Sequence, residues 1–283
     1  MGKSTLLNAF LGQKISITSD KPQTTRERIR GIYTDDRGQI VFVDTPGVHR
    51  PKNKLGQYME REINRTESDA DLILFLVEPD KKVGPGDIHI ANSIRNLDVP
   101  IFLVINKTDK VSRDEVLPVI NEFKDLLDFD EVFPISAAKG DGVDELLSTV
   151  MDSLQEGPYF YDEDDITDMP IRAICAEIIR EKALHLLEDE LPHGIAVVID
   201  SMKLNGARDL YHVDATIVVE KASHKGMVIG KQGSMLKRIG SAARKDMEEL
   251  CGRRINLKIW VRVKDGWRDS VRLIKNFGYV DEE

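Results

Sequence analysis

Gly2-Lys3-Ser4-Thr5 is the stretch with the clearest chemical content. Gly-Lys-Ser/Thr closes the phosphate-loop pattern G-x-x-x-x-G-K-[ST]. In that pattern backbone N–H groups wrap phosphate oxygens at a helix N-terminus, where the helix dipole favours negative charge. The Lys3 ammonium would sit on the outer phosphates and the Ser4 hydroxyl would ligate Mg2+. Asp44-Thr45-Pro46-Gly47 offers a carboxylate for a Mg2+-bound water and a small residue that lets a backbone N–H approach a γ-phosphate. Gln23-Thr24-Thr25-Arg26, followed by Glu27, is a polar loop in which Thr25 can bring a second hydroxyl to the metal. Taken singly, each is also an ordinary turn or loop.

Asn106-Lys107-Thr108-Asp109 would read a base. Guanine presents an N1–H and a 2-amino group side by side, which one carboxylate accepts bidentately; adenine would leave Asp109 unpaired. Asn106 can bridge neighbouring loops and the Lys107 stem can cover a ring face. Ser136-Ala137 supplies backbone N–H groups for the guanine carbonyl. An Asn/Asp-capped helix start is the plainer reading of N-K-x-D in isolation. Val48 follows Gly47, where many GTPases carry a water-orienting Gln. Valine has no group to orient water, so slow hydrolysis is expected, and His49 is expected to be a solvated loop residue.

These residues need elements to carry them. Apolar runs at 40–43, 72–77, 101–105 and 132–135 predict buried parallel strands, with 29–33 an edge strand. Helices are expected at 4–11, stopped by Gly12, at 53–67 and at 113–127. Strand–helix alternation predicts a doubly wound α/β layer, which places ligands at the carboxyl ends of its strands. All five motifs fall, in order, at the end of the appropriate element.

The 283 residues, 31% charged and 41% hydrophobic, suit a globular chain of one or two domains. No stretch predicts a membrane span or a signal peptide. Two cysteines, Cys175 and Cys251, make a reducing cytoplasm the expected compartment. The net charge of −9 hides an uneven split: residues 1–170 hold 20 basic against 32 acidic side chains, and residues 221–275 hold 15 against 5. The second region has the electrostatic footprint of a phosphate-polymer binder. Between the halves, residues 152–170 carry seven acidic and no basic side chains, and read as a solvated linker separating domains at 1–151 and 171–283.

Ile171, Ile174, Cys175 and Ile178 mark an amphipathic helix over 171–187. Strands are expected at 195–201, 211–220 and 255–263, and a helix at 234–250. The order α-β-β-α-α-β, with Gly230-Lys231-Gln232-Gly233 between two helices, is a KH arrangement of the bacterial kind, an α+β type II domain. Its two glycines let the backbone approach a nucleic-acid strand. Lys225, Lys231, Lys237 and Arg238 add charge, and Val228 and Ile229 are expected to floor a groove for unstacked bases. Trp260 and Trp267 offer rings that could stack bases but are expected to pack against protein, and His185, His193, His212 and His224 show no metal-ligand spacing.

The set G-K-S-T, Q-T-T-R, D-T-P-G, N-K-T-D and I-S-A, followed by a KH domain, resembles the Era family of GTPases over nearly the whole chain. The resemblance implies a Ras-like P-loop GTPase domain, GTP and GDP as ligands, and Mg2+. It also implies binding to 16S rRNA near its 3′ end, a role in 30S ribosomal subunit assembly, and a monomer peripheral to the cytoplasmic side of the membrane. The amphipathic, basic stretch 267–278 is either a membrane contact or a helix on the KH sheet. The pattern departs from the family at its start, where the first strand and Gly-x-Pro-Asn-Val are absent. A gap in the middle of the sheet is therefore expected, one that outweighs the typical 5–15 kcal/mol of net stability, so Met1 is expected to be an internal start. Two alternatives stay open: an RNA-binding module with an inactive G domain, and another KH-bearing GTPase of the same superfamily.

Overall fold

The computed structural model describes residues 1–21, 24–47, 51–79, 82–188, 191 and 194–279, with the backbone alone at 64–68. In chain order the elements are α1 (Lys3–Leu11), β1 (Ile29–Asp35), β2 (Gly38–Asp44), α2 (Lys54–Ser68), β3 (Ile73–Val77), α3 (Pro85–Ile94), β4 (Ile101–Ile105), α4 (Arg113–Lys124) and β5 (Glu131–Pro134). They continue with α5 (Val143–Ser153), α6 (Ile171–Leu186), β6 (Ala196–Asn205), β7 (Leu210–Val219), α7 (Ala222–Ile229), α8 (Ser234–Cys251), β8 (Arg254–Val263) and α9 (Val271–Asn276). The first compact unit comprises Met1–Ser16, Thr25–His49 and Glu60–Asp168; the second comprises Ile17–Thr24, Arg50–Met59 and Met169–Glu283.

In the first unit β3, β4 and β5 form a parallel sheet with β4 in the middle. All five residues of β4 are buried, which is why its sequence is an unbroken apolar run. Ala91 and Ile94 of α3, with Val116, Val119 and Phe123 of α4, cover one face of the sheet. Leu6 and Phe10 of α1, with Leu146 and Val150 of α5, cover the other, giving the doubly wound layer. α1 ends at Gly12, whose φ of 62° is left-handed and suits glycine. Ser112 starts α4, its N–H donating to Glu115 Oε2 at 2.8 Å in a capping box.

The strand over 40–43 corrects an expectation, since it is not parallel to the others. β2 pairs antiparallel with β1 from Ile29↔Asp44 to Asp35↔Gly38, in a two-stranded sheet of its own. Between β2 and β3 lies a cleft of about 1510 Å³, lined by Leu6, Phe10, Ile40, Phe42, Leu72 and Leu74 among others. The reason is geometric. β1 and β2 are joined by Asp36 and Arg37 alone, and a connection that short makes an antiparallel hairpin, whereas parallel strands need a long crossover; β2 has no strand partner on its β3 side. The expected gap in the sheet thus stands, bridged beneath by α1 and α5. The acidic stretch is also less free than a solvated linker. Ile32 N–H donates to Ile166 O at 2.9 Å, Thr167 Oγ1 to Arg30 O at 2.7 Å, and Arg30 pairs with Asp168 at 2.6 Å.

In the second unit β7 is central, antiparallel to β6 and parallel to β8 over ten register pairs. α6 and α8 bury Ile174, Ile178, Ile239, Ala243 and Met247 on one face of this sheet. The buried ions of α6 are partnered, as burial of charge requires. Arg180 bonds Glu177 and the Thr24 carbonyl; Glu181 accepts from Thr18 N–H at 2.9 Å and pairs with Lys182 at 2.9 Å. The other sheet face is covered at one end, where Ala196 and Val218 meet Trp267, Ile274 and Tyr279 together with Leu55, Tyr58 and Met59. The stretch 267–278 is therefore a 3-10 turn and a short helix on the KH sheet. Trp267 is fully buried and its Nε1–H donates to Gly194 O at 2.9 Å. Replacing it with Ala should lower the unfolding free energy of this unit by about 3–5 kcal/mol, read by urea denaturation.

Candidate nucleotide site and nucleic-acid interface

α1 begins directly after Gly2, so the amides of its first turn lack helical acceptors and face outward as an anion site. Gly2 has φ 91°, and a Cβ there would lie 2.5 Å from Asn106 Nδ2, so both conformation and space demand glycine. Beside this N-terminus the hydroxyls gather on one carboxylate. Ser4 Oγ donates to Asp44 Oδ2 at 2.6 Å and Ser16 Oγ donates to the same atom at 2.9 Å. Thr25 Oγ1 lies 3.0 Å from Ser4 Oγ and 3.4 Å from Asp44 Oδ2. Asp44 and Thr25 are buried.

The other carboxylate oxygen, Asp44 Oδ1, is buried and has no hydrogen-bond partner among the described residues. A buried acceptor left unpaired is costly and calls for a partner. The two hydroxyls retain acceptor lone pairs, so Ser4, Thr25 and Asp44 present the all-oxygen donor set that suits a hard divalent cation. Such a cation, when bound, neutralises charge on bridging phosphate oxygens. Among the described residues no group of three or more His, Cys, Asp or Glu side chains forms an alternative metal site.

Asn106 ties the loops together. Its Nδ2–H donates to Met1 O at 2.9 Å, and its Oδ1 accepts from Lys107 N at 2.8 Å and from Ala137 N at 2.9 Å. The side chain thus links the phosphate loop to the two base-reading segments. Thr108 N–H and Oγ1–H both donate to Ile135 O, at 3.1 and 2.9 Å. Lys107 sits at φ 68° with its Nζ on Glu78. Asp109 is exposed and oriented by Ser136, whose Oγ–H donates to Oδ1 at 2.7 Å. That hydrogen bond holds the Asp109 carboxyl below the usual carboxylate range. The Ser136 and Ala137 amides expected to meet a guanine carbonyl are engaged internally here, with Asp141 O and Asn106 Oδ1.

Thr24, Thr25 and Arg26 are placed, with Arg26 buried, and Glu27 follows them into β1; Thr45, Pro46 and Gly47 continue from β2. Gln23, Val48, His49 and His193 lie outside the described residues. The motif reading missed Ser16 and Glu78. Ser16 is set by Asn8, whose Oδ1 accepts from Ile15 N and Ser16 N at 2.9 Å each. Neither residue belongs to a short motif, so only the fold brings them to the site.

In the second unit Gly230 (φ 72°) and Gly233 (φ 77°) shape the turn between α7 and α8. A Cβ on Gly230 would meet Met235 Cβ at 2.7 Å, whereas above Gly233 nothing lies within 4 Å, so backbone there is open to a ligand. Lys225, Lys231, Gln232, Lys237 and Arg238 are exposed around this turn. Val228 is corrected: it is fully buried, the one α7 side chain committed to the core, and cannot floor a groove. Ile229 is half-buried. His185 bonds Thr18 O at 2.8 Å and His212 bonds Asn256 at 3.2 Å, both structural roles.

A phosphate-loop α/β unit with guanine-type base loops, carried in one chain with a type II KH unit, defines a GTPase of the KH-bearing class. Residues 1–107 match the family model for a 50S ribosome-binding GTPase and residues 190–268 that for a KH domain. The chain is 50% identical over 280 residues to the GTPase Era of Caldanaerobacter subterraneus subsp. tengcongensis, covering 99% of this chain and 94% of the relative. It is 48% identical over 283 residues to GTPase Era of Clostridioides difficile, covering 100% and 95%. The fold is similar to that of a point variant of Aquifex aeolicus Era bound to GDP and AlF4−, with a TM-score of 0.94, 41% identity and coverage of 98% and 95%. It is equally similar (TM-score 0.94, 41% identity, coverage 98% and 94%) to Era in complex with MgGDPNP and nucleotides 1506–1542 of 16S ribosomal RNA. The chain belongs to the Era family of GTPases.

Two measurements follow from the geometry. Ser136→Ala should raise the Asp109 midpoint toward that of an unperturbed aspartate in a carboxyl-resolved NMR titration, because the hydrogen bond that favours the charged form is lost. Asn106→Ala strands one carbonyl and two N–H groups and should cost the first unit about 2–3 kcal/mol in denaturant unfolding.

Proposed function

We propose that this chain binds GTP or GDP with Mg2+, hydrolyses GTP slowly, and binds 16S rRNA near its 3′ end in 30S subunit assembly. The observation that carries the nucleotide reading is the Ser4–Thr25–Asp44 cluster, with its unpartnered buried Oδ1, at the N-terminus of α1. Ser4 and Thr25 hold the cation directly and Asp44 through water, while Lys3 and the first-turn amides take the phosphates. Asp109, fixed by Ser136, accepts the paired hydrogens of guanine. Val48 argues for slow turnover, because its side chain cannot orient water. The exposed cations around Gly230 and Gly233 support the RNA reading, as does the family's structure with a 16S rRNA segment.

We place the protein in the cytoplasm, a reducing compartment that suits its two free thiols, Cys175 and Cys251. No helix among the described residues is long and apolar enough to cross a membrane. The apolar side of α9, through Ile274, is buried on the KH sheet, which leaves little for a bilayer.

Fluorescent GTP titration of the chain should show Mg2+-dependent binding. Asp109→Asn should weaken GTP by about 100-fold or more in favour of xanthosine triphosphate, since a site built to pair a group rejects its absence strongly. No GTP binding by the parent chain would leave the RNA-module alternative. Gly230→Asp adds a clash with Met235 and a charge repelling phosphate. It should weaken single-stranded RNA by about tenfold or more, equivalent to about 1.4 kcal/mol, with GTP affinity unchanged.

A further inference from the structure

In β8 Arg254, Asn256, Lys258, Trp260 and Arg262 alternate with Ile255, Leu257, Ile259, Val261 and Val263. The second set faces the helices: Ile255 and Val261 are buried, and Ile259 Cδ1 is the atom a Cβ on Gly240 of α8 would meet. Period-two geometry puts the first set on the opposite face, and all five of its members are exposed. Trp260 is 59% exposed. In register Arg262 lies beside Val218, at the margin of the cover formed by Trp267, Ile274 and Tyr279, and Trp260 lies beside Thr216 just beyond it.

An indole open to water on an edge strand serves neither the core nor the 230–233 turn. Lys258 and Arg262 stand two residues to either side of it, about 6.6 Å along the strand, with Arg254 further on. Among the described residues none of the three cations has a carboxylate within ion-pair distance. The acidic neighbours are hydrogen-bonded to hydroxyls: Asp214 of the central β7, beside Lys258 in register, accepts from Ser201 at 3.1 Å, and Asp200 of β6, the opposite edge strand, accepts from Thr216 at 2.6 Å. An aromatic platform between unpaired cations is the chemistry of single-stranded nucleic-acid binding, a base on the ring and phosphates on the ammonium and guanidinium groups. A protein partner would find a single ring in a row of like charge. α7 and α8, which carry the glycine turn, both pack against β8. We propose that the outer face of β8 is a second single-strand RNA contact, in which Trp260 stacks a base and Lys258 and Arg262 take the flanking phosphates. It rests on the RNA reading of the glycine turn and extends the footprint beyond it.

The test uses the full chain and oligouridylates of about 5 and about 16 nucleotides, the range of single-strand site sizes. Trp260→Ala should weaken the long RNA by about 5- to 100-fold, the range of one stacked base, and leave the short RNA unchanged. Trp260→Phe should restore most of the loss, which excludes misfolding as its cause. Lys258→Gln should reduce the salt slope for the long RNA by about 0.7. Equal affinity of the parent and Trp260→Ala for the long RNA, with Gly230→Asp still impaired, overturns this contact alone and assigns the indole to a protein partner. No RNA binding by the parent overturns both readings.

Discussion

A single buried amide holds the first unit's chemistry in place. Asn106 is 2% exposed, and its side chain satisfies one carbonyl and two N–H groups from three separate segments. Each of those segments is an irregular loop at a strand or helix end, where backbone polar groups have no ladder to join. Without the amide, three backbone groups would lose a partner at once, the Ala137 N–H in a buried position. The phosphate loop, the base-reading loop and the Ser136 loop are thereby fixed in mutual register, which no single motif could achieve.

The cluster at Asp44 works by the opposite logic. Oδ2 is saturated by hydroxyls, while Oδ1 is buried and unpartnered among the described residues. Saturation fixes the orientation of the carboxylate, and the open oxygen concentrates its negative charge where a cation would be gained. In the second unit the balance differs: buried Arg180 and Glu181 each have hydrogen-bonding partners, and the charge available for ligands lies on exposed Lys and Arg side chains around a glycine turn. One unit is built for a compact, highly charged ligand and the other for a polymer whose charge is spread along its length.

Much of this was legible in residue order. β4 announces itself as five apolar residues, α1 by its stop at Gly12, and the KH order by the glycine turn between patterned segments. Four things were not. The antiparallel pairing of β1 and β2 follows from their two-residue connection, Asp36-Arg37, which the apolar run at 40–43 read by itself does not report. Val228 belongs to an apolar pair beside the glycines, and sequence does not say which member of that pair the core takes. Ser16 and Glu78 act through contacts 28 and 29 residues away in sequence, with Asp44 and Lys107, and carry no local pattern. α3 and α5 were not predicted either, although Val143, Leu146, Leu147 and Val150 have helical spacing. Gly84 and Gly86, and likewise Gly140 and Gly142, interrupt the pattern where each helix begins.

One ligand gathers the loops that Asn106 ties and the cluster that Asp44 orients. Amide hydrogen exchange of the full chain, with and without Mg2+ and a non-hydrolysable GTP analogue, reads this out. Exchange should slow together at residues 2–5, 44–47, 106–109 and 136–138, with the 230–233 turn unaffected. Unchanged exchange at those four segments, with the analogue at saturating concentration, would show that no shared ligand joins them.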